Sequence, residues 1–173
     1  MKKSLLLLVI AALALPAAAQ QINLDLPGLR DKASEEVTVT LDASMLRLAA
    51  RFLSDAGDER NVRDIVQKLQ GIYVRSYEFD HEGEYDRSAV DRLRSQLGAD
   101  WKKIVDIRSK LGENSEIYTQ SHGDQITGLV IITAEPKELT IVNLVGPIDL
   151  DRLADLQGQF GIPKSHMARA GKQ

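Results

Sequence analysis

Two apolar runs near the end of the chain constrain the fold more than any other feature. Residues 125–134 read QITGLVIITA and residues 138–145 read ELTIVNLV, with only Glu135, Pro136 and Lys137 between them. Both runs are rich in β-branched residues, and both are apolar at consecutive rather than alternate positions. Strands of that kind bury both faces and belong in the middle of a covered sheet. A three-residue join makes them antiparallel neighbours. The rest of the chain has to cover this hairpin and pair with its edges.

Further strands are predicted at residues 72–79 (IYVRSYEF), 101–109 and 116–121, the last followed by a His122-Gly123-Asp124 turn. Gly146-Pro147 is expected to end the sheet. A first helix over residues 42–56 places Met45, Leu48, Ala49, Phe52 and Leu53 on one apolar stripe, with Asp42 as its cap and Gly57 at its end. A second follows at once, with Asp58 as cap, Val62, Ile65, Val66 and Leu69 on one face, and Gly71 as stop. So short a join makes the pair a helical hairpin. Ser88 is expected to cap a third helix with Val90, Leu93 and Leu97 inward. Asp149 is expected to cap a last one carrying Leu150, Leu153, Ala154, Leu156 and Gln157. The order αα-β-α-ββββ-α implies an α+β domain, with helices packed on one face of a mainly antiparallel sheet of about five strands.

Residues 1–19 read as a cleavable signal peptide. Lys2 and Lys3 form a positive start, residues 5–15 are wholly apolar, Pro16 breaks the helix, and Ala17-Ala18-Ala19 supplies small residues for cleavage between Ala19 and Gln20. The apolar run is shorter than the roughly 20 residues that a membrane-spanning helix needs. The expected location is the periplasm or the exterior, with no stable membrane insertion after cleavage. Residues 20–40, with Pro27 and Gly28, read as an extended N-terminal arm holding at most a short strand at 37–40. Residues 41–162 form the domain, and residues 163–173 a polar, flexible tail.

Composition removes whole classes of chemistry. The chain has no cysteine, so it has no disulfide, thiolate metal site, cysteine nucleophile or thioether lipid anchor. Its formal net charge is −3; without Lys2 and Lys3, 20 basic side chains face 25 acidic ones, net −5. Nucleic acid binding needs the opposite balance. No G-x-S-x-G, S-x-x-K, H-E-x-x-H, Walker or G-x-G-x-x-G pattern occurs, so no catalytic residue and no cofactor is assigned.

The most suggestive polar cluster is the loop from Asp80 to Asp86, with acids at Asp80, Glu82, Glu84 and Asp86 and a histidine at His81. Oxygen donors at every second position can converge on a hard cation. An EF-hand numbering from Asp80 nonetheless puts Tyr85 where glycine is required and Asp91 where glutamate is required. His81, Glu82, Glu84 and His122 are the candidate metal ligands, the two histidines lying in predicted loops at strand ends. A solvated loop whose acids favour the next helix N-terminus explains the same residues. Tyr73, Tyr77, Phe79 and Trp101 are candidates to line a ligand groove, although aromatic residues on strands are chiefly core and cross-strand partners.

The helix SMLRLAARFL, the strand IYVRSYEF, the Trp101 segment and above all the ending ITGLVIITAEPKELTIVNLVGPIDLDRLADL resemble an exported bacterial family, domain-of-unknown-function family 4252. The resemblance covers residues 45–160. Its motifs are structural, so it implies the fold and export and transfers no activity. Members are exported or membrane-attached, some as lipoproteins; this chain has no cysteine and departs from them there. The function expected is a non-enzymatic periplasmic binding or accessory module with an envelope protein partner, in an envelope-signalling setting. The alternative is a metal-binding protein or metal-assisted hydrolase using the Asp80 to Asp86 loop with His122.

Overall fold

The apolar hairpin lies at the centre of a single sheet. In the computed structural model, which describes residues 21–54 and 57–150, it is formed by β5 (Gln125–Ala134) and β6 (Glu138–Ile148). Around it stand β1 (Glu35–Asp42), β2 (Gly71–Glu78), β3 (Trp101–Arg108) and β4 (Asn114–His122). The sheet has six strands in the order β1-β2-β6-β5-β4-β3, every neighbouring pair antiparallel. The α+β class holds, but the count of about five strands falls short by one. The additional strand is β1, which pairs with β2 without interruption from Glu35↔Glu78 to Asp42↔Gly71. Its own alternation, Val37, Val39 and Leu41, is short; the open edge of β2 organises it. β2 and β3, consecutive in the chain, end up with β6, β5 and β4 between them.

The helices cover both faces of the sheet rather than one, as two apolar faces on β5 and β6 require. Leu129, Leu144, Ile117 and Ile148 pack with Leu46 of α2 (Ala43–Ala50), and with Val62 and Ile65 of α3 (Gly57–Val66) and Leu69 just beyond it. Val130, Ile132, Leu139, Ile141, Tyr77 and Tyr118 point the other way. They meet Ala89, Val90 and Leu93 of α4 (Ser88–Ser95) and Leu29 of α1 (Pro27–Arg30). Ile22, Leu24 and Leu26 complete that second layer, so the segment read as an extended arm is part of the core. Tyr77, Phe79 and Trp101 are buried there too, whereas Tyr73 lines a small cleft beside the arm.

Polar pins hold the arm down. Tyr77 Oη accepts from Leu26 N at 3.2 Å and donates to Leu24 O at 3.3 Å. The fully buried Asn143 accepts from Ile22 N through Oδ1 and donates through Nδ2 to Leu129 O, each at 3.3 Å. An unpaired buried amide costs about 1–3 kcal/mol, so Asn143 is tolerated in the core only because both ends of its side chain are met.

Three local expectations are corrected. Helix α2 buries Leu46 and Ala50, one turn apart, with Leu53 partly buried, whereas Met45, Leu48 and Phe52 of the expected stripe are 51%, 55% and 82% exposed. In two turns of helix, two apolar stripes interlace, and pattern alone does not choose between them. Ser88 is the first residue of α4, not its cap; the N-cap position is Arg87, already helical and without a side-chain cap bond, so the capping carboxylate is that of Asp86 one residue earlier, which accepts from Ser88 N at 3.0 Å and from Ser88 Oγ at 2.8 Å. β6 continues through Gly146 and Pro147 to pair Ile148 with Ile126, a bulge between Ile126 and Gly128 absorbing the offset. Gly146 is obligatory there: its φ is +124°, and a Cβ would stand 2.7 Å from Gln70 N. The leader, the last helix beyond Leu150 and the tail lie outside the described residues.

Candidate functional site

Two strand ends and one helix enclose a cleft. Its walls are α4 with the loop before it, the β3–β4 hairpin, and the turn joining β5 to β6; its volume is about 630 Å³. Tyr85 shapes one end. Its ring stacks on Phe79 with centroids 5.0 Å apart, and its hydroxyl donates to Glu135 O. Gly112, at φ +91°, turns the β3–β4 connection and leaves Leu111 78% exposed at the rim.

At the base lies Glu116, whose side chain is only 6% exposed. Strand alternation turns it and Tyr118 toward the face that α4 covers. The carboxylate accepts from Arg94 Nε of α4 at 2.8 Å, from Lys103 Nζ of β3 at 2.8 Å and from Tyr118 Oη at 2.9 Å. Arg94 also donates to Asp91 at 2.6 Å, and Lys103 to Asp106 at 3.3 Å. Arg108 closes the chain of charges on Asp106 through two contacts of 3.1 Å. The Lys103 ammonium stands 5.5 Å from the centroid of the Tyr118 ring, within cation–π range.

These contacts set the protonation states. Burial alone would raise the Glu116 pKa, but the donors Arg94, Lys103 and Tyr118 together outweigh it and hold the carboxyl below its ordinary range. Arg94 and Lys103 are raised in turn, chiefly by their hydrogen bonds to Glu116. Burial, then the Glu116 charge, pushes Tyr118 up, and burial raises Tyr85. Asp106 is lowered, first by Arg108. Glu135 runs the other way: burial, then Glu138 and Glu113, raises it. The cluster therefore holds a fixed carboxylate, fixed cations and neutral phenols.

The residues singled out in the sequence are divided between the two ends of the sheet. Within the acidic loop His81 Nδ1 meets Glu84 Oε1 at 3.2 Å, and His81 N donates to Glu84 Oε2 at 3.2 Å. Glu84 is lowered, first by that backbone bond. Asp86 is occupied as the cap of α4, and Lys137 Nζ donates to Asp80 O at 2.8 Å. Glu82 lines the cleft. His122 pairs with Gln125 at the far end of β4, while His81 follows the end of β2 that lies beside the β5–β6 turn. A strand length, about 25 Å at roughly 3.3 Å per residue, separates those ends, so the fold does not bring His122 to the loop. Among the described residues no group of three or more histidine, aspartate or glutamate side chains is placed to hold a metal ion. The cluster of Arg94, Lys103, Glu116 and Tyr118 was not anticipated. Its one trace in the sequence is a glutamate two residues before a tyrosine, on the inward phase of a strand.

Fold and site together define a layered α+β domain with a charged cleft beside its sheet. The chain belongs to the family described as Domain of unknown function (DUF4252), whose model matches residues 31–156. No curated protein and no solved structure matches it.

Proposed function

We propose that this chain is an exported, non-enzymatic binding or accessory module of the cell envelope, and that the cleft beside α4 receives its protein partner. The observation that carries the reading is Glu116. A buried carboxylate satisfied by three donors is committed to holding Arg94, Lys103 and Tyr118 in place, and is not available as an acid or base. Preorganised charges of both signs, next to Tyr85, Val90, Ala134, Pro136 and the exposed Leu111, form a surface for a polypeptide segment with polar and apolar side chains. Export rests on Lys2, Lys3, the apolar run and the Ala17-Ala18-Ala19 exit. Among the described residues no helix is long and apolar enough to cross a membrane.

The test is a photocrosslinking residue placed at Leu111 in the cleft or at Asp124 in the β4–β5 turn, in the full precursor expressed in its native envelope. One dominant adduct from position 111, lost with Arg108→Glu and absent from position 124, is expected. Equal labelling from both positions, or no adduct at 111, overturns the assignment of the cleft. Replacing His81 and His122 together by alanine should leave the cellular role intact. Loss of that role in a folded double variant would count against a non-metal module.

A further inference from the structure

The two edges of the sheet are built differently. β3 is blunted in the usual ways: its register shifts between Lys103 and Val105, and it carries Lys102, Lys103, Asp106 and Arg108. β1 has no register shift, and its charges, Glu35, Glu36 and Asp42, stand only at its two ends. It is continuous over eight residues, EEVTVTLD, with no proline, glycine or basic residue, and Val37 to Leu41 is uncharged. Glu36 is already held by Arg30 at 2.9 Å, and Asp42 is engaged in capping α2, accepting from Ser44 N at 2.8 Å and Met45 N at 2.9 Å. Among the described residues no strand pairs with the outer side of β1.

The hydrogen-bond phase of β1 follows from its neighbours. Phe79 N donates to Lys137 O at 2.9 Å, which extends the β2–β6 ladder on odd-numbered residues of β2. Alternation gives the even-numbered residues of β2 to β1, where their partners are Glu35, Val37, Val39 and Leu41. The main-chain groups of Glu36, Thr38 and Thr40 are thereby turned to the open side.

We infer that β1 is a self-association edge, at which two copies of this chain join antiparallel about a two-fold axis at Thr38. In that register Val37 lies opposite Val39 of the second copy, Glu36 opposite Thr40 and Glu35 opposite Leu41, so no like charges face each other. Moving the axis to Val39 sets Glu36 against Asp42, and like charges directly opposite are destabilising. Moving it to Thr40 shortens the pairing within β1. The preferred register thus covers Val37, which is 44% exposed in the single chain, with another β-branched residue. Edge-to-edge pairing of this kind keeps corresponding faces on the same side of the joined sheet. Both α2 helices, which follow β1 directly and carry the exposed Met45 and Leu48, with the exposed Phe52 just beyond, then flank the axis on one face. The assembly is an isologous dimer with a continuous twelve-stranded sheet.

Thr38 stands opposite its own symmetry mate, which makes the charge test specific. Light scattering on the mature chain (residues 20–173) should give twice the chain mass. Thr38→Lys and Thr38→Glu should each give a folded monomer by circular dichroism, and an equimolar mixture of the two should return to the dimer mass. A monomeric wild type, a Thr38→Lys variant as dimeric as wild type, or a mixture of folded variants that stays monomeric overturns the proposal. Because the chain has no cysteine, Thr38→Cys supplies a second measurement that needs no added charge. A short bismaleimide should link that variant into dimers and leave Asp124→Cys unlinked. Equal linking of both variants, or of neither, also overturns the proposal.

Discussion

The Nε of Arg94 lies 2.8 Å from the Glu116 carboxylate, fastening the last turn of α4 to β4, the strand beside the β3 edge of the sheet. The arginine side chain is 41% exposed and the glutamate 6%, so the pair is a surface cation reaching down to a buried anion. Lys103 approaches the same carboxylate from the edge strand. Three consecutive elements, α4, β3 and β4, meet at this one charge, which ties α4 to the sheet.

Neutralising it should loosen the helix. Glu116→Gln keeps the shape and loses the charge, and is expected to cost at most about 1.5–3 kcal/mol, the range for hydrogen bonds to charged groups, reduced at the exposed ends by solvent. Because the Glu116 pKa is lowered in the folded state, its contribution is complete above the unfolded value near 4.3 and is lost as pH falls below it. Melting temperatures between pH 3 and 7 should fall more steeply in acid for the native chain than for Glu116→Gln. Parallel curves would show that the carboxylate does not govern acid stability.

Glu135 has the opposite sign. Its raised pKa means that ionisation is disfavoured in the fold, a cost relieved by protonation. Glu135→Gln should therefore raise the melting temperature at pH 7, and the gain should shrink as pH approaches 4. A gain that is constant across that range would point to packing instead of charge.

Removing one oxygen at Tyr77 leaves Leu26 N and Leu24 O without their partner. Tyr77→Phe should cost about 1–3 kcal/mol and speed amide exchange at Leu26 by far more than at Val130 in the central strand. Uniform acceleration at both sites would show that the arm opens only with the whole molecule.

The cap of α4 separates two neighbouring residues. Asp86→Ala should cost about 1 kcal/mol, the usual value of a helix N-cap, and Ser88→Ala distinctly less, since Ser88 N is the donor and its hydroxyl only adds to the same carboxylate. Urea midpoints decide the order. An equal loss at both positions would return the cap to the serine.

Gly146→Ala places a side chain at φ +124° and against Gln70 N, and should cost roughly 2–3 kcal/mol or prevent folding. Gly28→Ala, where a Cβ meets nothing within 4 Å, should leave the melting curve nearly unchanged.

What could be read ahead of the structure followed from the strength of the local pattern. QITGLVIITA and ELTIVNLV have apolar residues on both faces, and they form the centre of the sheet. Val62, Ile65 and Leu69 repeat over two turns with no rival stripe, and they are buried. Leu46 lost to Leu48 on paper because α2 is eight residues long and either stripe satisfies its period. Ile22, Leu24 and Leu26 alternate, but what holds them, Tyr77 and Asn143, lies 51 to 121 residues away, beyond any local pattern. Glu116 was illegible for a related reason. A glutamate in a strand reads as solvent-facing until the cations that neutralise it are known, and Arg94 and Lys103 come from two other elements.

The bond between Ile22 N and Asn143 Oδ1 also sets an order of events in time. On a chain that emerges N-terminus first, Ile22 is among the first residues out and Asn143 among the last of the folded core. The arm cannot reach its resting place until β6 exists, so one face of the sheet stays open while the α2–α3 hairpin forms from neighbouring residues. Contacts that close loops this long slow folding, because the entropy of closure is spent before the contact is made. Throughout that interval Tyr77 and Val130 lack the cover of the arm, an exposure of apolar surface that favours aggregation.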